Sequence, residues 1–86
     1  MEKNELDNLK MMIDDIVTSK TKKDGKILYD KLYSNISYFE NTLCHYSFMK
    51  LIDVISIAKD VSGRVRNKTH KKIYMEQLWY KFHTSI

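Results

Sequence analysis

The sequence predicts an all-α fold, a compact bundle of about four short helices forming a single domain over residues 1–86, with the third helix central. Three observations predict it. Proline is absent and glycine occurs only at Gly25 and Gly63, so few strong chain breakers interrupt the sequence. Apolar residues recur at intervals of three and four in successive blocks, the pattern of one-sided helices. Strand-type alternation is weak throughout, and no internal repeat or sustained heptad pattern calls for a solenoid or a long coiled coil.

A first helix is expected from Asn4 to about Ser19, where Leu6, Leu9, Ile13, Ile16 and Val17 share one stripe at about 100° per residue. Asn4 suits its cap, Glu5 and Asp7 complement the positive end of its dipole, and Met11 falls opposite the stripe. The polar run "SKTKKDGK" then turns the chain. A second helix begins near Asp24 and carries Leu28, Leu32, Ile36, Phe39 and Leu43 on one stripe, with Tyr29 and Tyr33 along its flank and Tyr38 pointing elsewhere.

Continuing that helix would place Phe48, Leu51, Ile52, Ile55 and Ala58 on nearly the opposite side, so a break is expected near "CHYS", with Ser47 as the cap of a third helix. The third helix also carries Val54, Ile57, Val61 and Val65. Its apolar arc covers more than half the cylinder, which places it at the centre of the bundle or with one side against a partner chain, so a homodimer is compatible with the pattern. It ends around Ser62 and Gly63, where glycine readily takes the left-handed conformation. A last helix from about Thr69 to Phe82 presents Tyr74, Met75, Leu78, Trp79 and Phe82 on one face, which Ile86 extends if the tail is helical.

A domain of this size buries only about 60% of the surface its unfolded chain exposes, so its stability is expected to be modest. Cys44 is the only cysteine and no secretory leader is visible, which points to a reducing cytoplasm. The longest apolar run falls far below the roughly 20 residues of a membrane span. Thirteen of the fifteen basic residues are lysine and asparagine, isoleucine and tyrosine are common, which suits an AT-rich coding sequence of bacterial or phage origin.

Charge is uneven along the chain. Residues 1–57 hold eight basic and nine acidic side chains, whereas 58–86 hold seven and two. Six of those seven, Lys59, Arg64, Arg66, Lys68, Lys71 and Lys72, cluster about the turn "SGRVRNKTHKK", which contains no carboxylate. Such a cluster keeps a junction hydrated, steers an acidic protein partner, or neutralises phosphates with a steep dependence on salt. "IAKDVSGRVRNKTHKKI" departs from the helix-turn-helix pattern: Ala58 and Gly63 lie five apart instead of four, and lysine stands at the apolar anchor position.

The spacing from Arg64 or Arg66 to His70 resembles that of the HEPN family of helical ribonucleases over this short stretch, a resemblance that implies RNA cleavage by the pair. In a helical segment Arg66 and His70 lie one turn apart, whereas Arg64 and His70 are about 240° apart. One cysteine and three histidines without ligand spacing give no metal site, and no glycine-rich phosphate loop or catalytic constellation is present, so neither a cofactor nor an enzymatic activity is expected. Six tyrosines and a tryptophan are many for a chain this short. Tyr29, Tyr33, Tyr38, Tyr46 and Tyr80, at the edges of the stripes or off them, are the aromatic candidates for contact with another molecule. The expectation is a small non-enzymatic protein-binding module of inhibitor, adaptor, immunity or chaperone type. Its alternative is a nucleic-acid-binding regulator that meets phosphates through residues 59–72.

Overall fold

A computed structural model describes residues 1–86 as five α-helices without strands: α1 (Lys3–Val17), α2 (Lys22–Tyr33), α3 (Ile36–Thr42), α4 (His45–Asp60) and α5 (Lys68–Thr84). The all-α class holds, with five helices where about four were expected. The expected second helix is split at Ser34 and Asn35. There the Ser34 hydroxyl donates to the Lys31 carbonyl at 2.6 Å, and the Asn35 amide reaches back only three residues, to Leu32. Such local bonds compete with the regular ladder and bend a helix without glycine or proline.

The third helix in chain order, α3, is therefore a seven-residue element with no buried residue, and the centre belongs to the fourth. Helix α4 packs against each of the other four, most extensively against α5. Ser47 beside Ser85, and Ile57 and Asp60 beside His70 and Tyr74, make α4 and α5 antiparallel. Lys10 beside Glu76 and Trp79 places α1 along the other flank of α5.

The core is apolar and built from the stripes. Leu9, Ile13, Ile16 and Val17 of α1, Leu32 of α2, Leu51, Val54, Ile55 and Ala58 of α4, Val61 beyond it, and Met75, Leu78 and Phe82 of α5 form one buried cluster. Two stripe assignments change. Tyr74 is 53% exposed, because α5 turns Met75, Leu78 and Phe82 inward and leaves residue 74 beside the outer edge of α4. Val65 lies in the connection beyond α4, which ends at Asp60.

Two caps also differ from expectation. Helix α1 starts at Lys3 after Glu2, without a side-chain cap. Helix α4 starts at His45 after Cys44, and Ser47 is a buried polar anchor whose hydroxyl lies 2.6 Å from that of Ser85 and 3.2 Å from the Cys44 sulfur. Thr21 does cap α2, its hydroxyl accepting the Asp24 amide at 3.1 Å. No helix is long and apolar enough to cross a membrane.

Candidate functional site

Both glycines of the chain lie at one junction, where the α1–α2 turn meets the α4–α5 turn. Gly63 has φ +72°, the left-handed region that disfavours a side chain, and its amide donates to the Ser19 carbonyl at 3.0 Å. A Cβ at Gly63 would lie 2.8 Å from the Lys22 backbone nitrogen and 3.0 Å from the Thr21 carbonyl carbon. A Cβ at Gly25, in the first turn of α2, would collide with the Cβ and hydroxyl of buried Ser62. Glycine at residue 63 lets the two turns touch backbone to backbone, and glycine at residue 25 leaves room for the Ser62 side chain.

Two lysines complete the junction. The carbonyls at the end of α4 lack intrahelical donors, and the Lys22 ammonium donates to those of Lys59, at 3.3 Å, and Asp60. The Lys68 ammonium donates to the Gly63 carbonyl at 2.8 Å. Asn67, just before α5, adopts φ +58°, which asparagine tolerates better than most residues.

The predicted basic cluster thus divides. Lys68 is bound within the fold, and half-buried Lys59 sits 4.6 Å above the Tyr29 ring, a cation–π contact. Arg64, Arg66, Lys71 and Lys72 are exposed and take part in none of the three ion pairs of the protein, Lys10–Asp14, Lys10–Glu76 and Lys26–Asp30. Because Gly63 rests on Thr21 and Lys22, the fold adds the exposed side chains of Lys20 and Lys23 to the same pole. Sequence reasoning treated "SKTKKDGK" only as a turn. Its three lysines were a signal, but their proximity to residue 63 is tertiary.

Arg66 precedes α5 and lies in the turn, so the one-turn spacing to His70 that a helical segment would give is not formed. His70 lines a shallow groove between α4 and α5 with Ile57, Asp60, Lys71 and Tyr74. No three His, Cys, Asp or Glu side chains converge as metal ligands. Cys44 is exposed, and hydrogen bonding from the Ser47 hydroxyl holds its thiol below the ordinary value.

The five aromatic candidates are distributed over four helices. Tyr29 and Tyr33 stack at 5.5 Å on α2, and Tyr29 is partly covered. Tyr38 on α3 donates its hydroxyl to the Glu5 carboxylate at 2.9 Å, a bond that raises the phenol above its usual value. Tyr46 on α4 lies under the Lys50 ammonium at 5.4 Å, and Tyr80 on α5, at 67%, is the most exposed large apolar side chain. Helical spacing places Tyr46 and Met49 on the outer side of α4 and Ile73 and Tyr80 on the outer side of α5, whereas Tyr74, about 120° round the helix from Tyr80, borders the groove between α4 and α5; all five are exposed. Met49, Ile73 and Tyr74 were not among the sequence candidates. In blocks as apolar as these, core and surface positions look alike. No protein family, no curated protein and no solved structure matches the chain.

Proposed function

We propose that the protein is a small binding module of inhibitor, adaptor, immunity or chaperone type, working by contact and not by catalysis, with the outer side of the α4–α5 pair as its contact surface. The observation that carries this reading is the set of large apolar side chains, Tyr46, Met49, Ile73, Tyr74 and Tyr80, left exposed on two adjacent antiparallel helices while the core beneath is filled. Aromatic and methionine side chains of this kind are enriched at protein interfaces, where a few carry most of the affinity. Helix α5 has one carboxylate, Glu76, already paired with Lys10 at 2.8 Å. Its exposed cations, Lys72 and Lys81 among them, therefore suit acidic groups of a partner on the α5 side, while exposed Asp53 and Asp60 give the α4 side the opposite charge.

The test begins with affinity capture from the native host and continues with the purified partner. A one-to-one complex is expected, weakened about 30-fold or more by Tyr74→Ser with Tyr80→Ser, the size of a hot-spot loss of about 2 kcal/mol. Arg64→Gln with Arg66→Gln is expected to change the association rate and its salt dependence more than the lifetime of the complex. A complex indifferent to the two tyrosines refutes this surface.

A further inference from the structure

We propose that the pole of the bundle where the α1–α2 and α4–α5 turns meet is a binding site for the phosphate backbone of a nucleic acid, a surface that adjoins the outer α4–α5 face at Lys71 and Lys72 and extends away from it over the two turns. Residues 18–24 and 59–72 together hold nine lysines and arginines and two aspartates, a net charge of +7. The whole chain carries +4, so the remainder is net −3 and the molecule is strongly polarised. The sequence alone displays only the second of these segments as a cluster. The contact of Gly63 with Ser19, Thr21 and Lys22 joins the first to it.

Six of the nine cations, Lys20, Lys23, Arg64, Arg66, Lys71 and Lys72, are exposed and have no hydrogen-bond or ion-pair partner within the protein. The ends of α1 and α4 and the beginnings of α2 and α5 all lie at this pole, so the helix dipoles largely cancel and the field comes from the side chains. Two of the six are arginines, whose planar fork matches phosphate oxygens in pairs.

The chemistry of the pole favours phosphodiester over an acidic protein. A protein interface needs an apolar centre to bury, yet the two turns themselves, residues 18–24 and 59–68, hold no exposed large apolar side chain, and Ile73 and Tyr74 stand only at the border of the pole, beside Lys72 and Lys71. A nucleic-acid backbone requires only cations that replace its condensed counterions. The two glycines hold the two basic turns in fixed register, so the ligand meets a preformed array and not two flexible loops.

The experiment measures fluorescence anisotropy of labelled 20-nucleotide duplex and single strands of mixed sequence, titrated with the full chain between 50 and 200 mM monovalent salt. Six phosphate contacts on duplex give a slope of log affinity against log salt of about −5, a loss of about a thousandfold across that range. Lys20→Gln with Lys23→Gln, and separately Arg64→Gln with Arg66→Gln, are each expected to reduce the slope by about two, with far-UV circular dichroism unchanged. Lys3→Gln with Lys31→Gln, away from the pole, is expected to leave it unchanged. Four results overturn the proposal: no binding at 50 mM salt, loss on changing the arginines but not Lys20 and Lys23, equal loss from the remote pair, or equally tight binding of polyglutamate, which would assign the pole to an acidic protein.

Discussion

Replacing Gly25 by alanine sets two effects of known sign against each other. In a helix interior the substitution gains about 1 kcal/mol of propensity. Here the added methyl meets the Ser62 Cβ, an atom fixed to the backbone and unable to rotate away, so α2 must lift off the end of α4. Overpacking of this kind costs about 1–3 kcal/mol, leaving a net loss of about 0–2 kcal/mol, centred on about 1 kcal/mol. For a domain of this size that lowers Tm by roughly 4–8 °C per kcal/mol. Ser62→Gly removes the obstructing atoms, at the expense of the Ser62 hydroxyl bond to the Lys59 carbonyl at 2.7 Å. In that background Gly25→Ala keeps only its propensity gain and is expected to stabilise by up to about 1 kcal/mol. The assay is urea or thermal unfolding of the four proteins of this cycle followed by circular dichroism. Stabilisation by Gly25→Ala in the natural background, or the same effect in both, would show that the two turns do not touch as described.

Other consequences follow from particular contacts. Phe82→Ala, at a fully buried position, is expected to cost about 3–5 kcal/mol and to leave little folded protein near physiological temperature, whereas Ile13→Val costs about 0.5–1.5 kcal/mol by the same unfolding assay. Burial disfavours the Lys10 ammonium, but hydrogen bonds and charges from Asp14 and Glu76 outweigh it and raise its pKa from 10.5. A raised lysine contributes stability below its unfolded pKa and loses it as pH rises through the folded one. Lys10→Met is therefore expected to be up to about 1 kcal/mol less stable at neutral pH, with the difference shrinking in strongly alkaline titrations. The Cys44 thiol is expected to alkylate with a pH midpoint below that of a free cysteine, and Ser47→Ala moves the midpoint back up.

Much of the architecture follows from periodicity alone. The stripes of α1 and α5 and the wide apolar arc of α4 each demanded burial, and Ile13, Leu51 and Phe82 are among the most deeply buried residues. The break at Ser34 and Asn35 was illegible because Leu28, Leu32, Ile36 and Phe39 keep their apolar spacing across it, while the bend comes from side-chain hydrogen bonding. Ser47 reads as a cap in sequence, yet a hydroxyl that finds Cys44 and Ser85 is equally content inside. Tyr74 reads as core because it adjoins Met75, although one residue is a 100° rotation.

The candidate site shows the same division between local and tertiary information. The basic character of residues 59–72 was plain, but the engagement of Lys59 with Tyr29 and of Lys68 with the Gly63 carbonyl depends on the folded path of the chain. So does the arrival of Lys20 and Lys23, some forty residues away in sequence. The two glycines were read as chain breakers, and Gly25 is instead a contact point inside a helix.

The apposition of the two basic turns is tested most directly by native-state hydrogen exchange at the Gly63 amide, which donates to the Ser19 carbonyl across the junction. The account predicts that this amide is protected like those of the core helices while the neighbouring Arg64 and Arg66 amides exchange rapidly. Exchange of Gly63 as fast as its two arginine neighbours would mean that the turns are not locked together, and the composite pole would not exist.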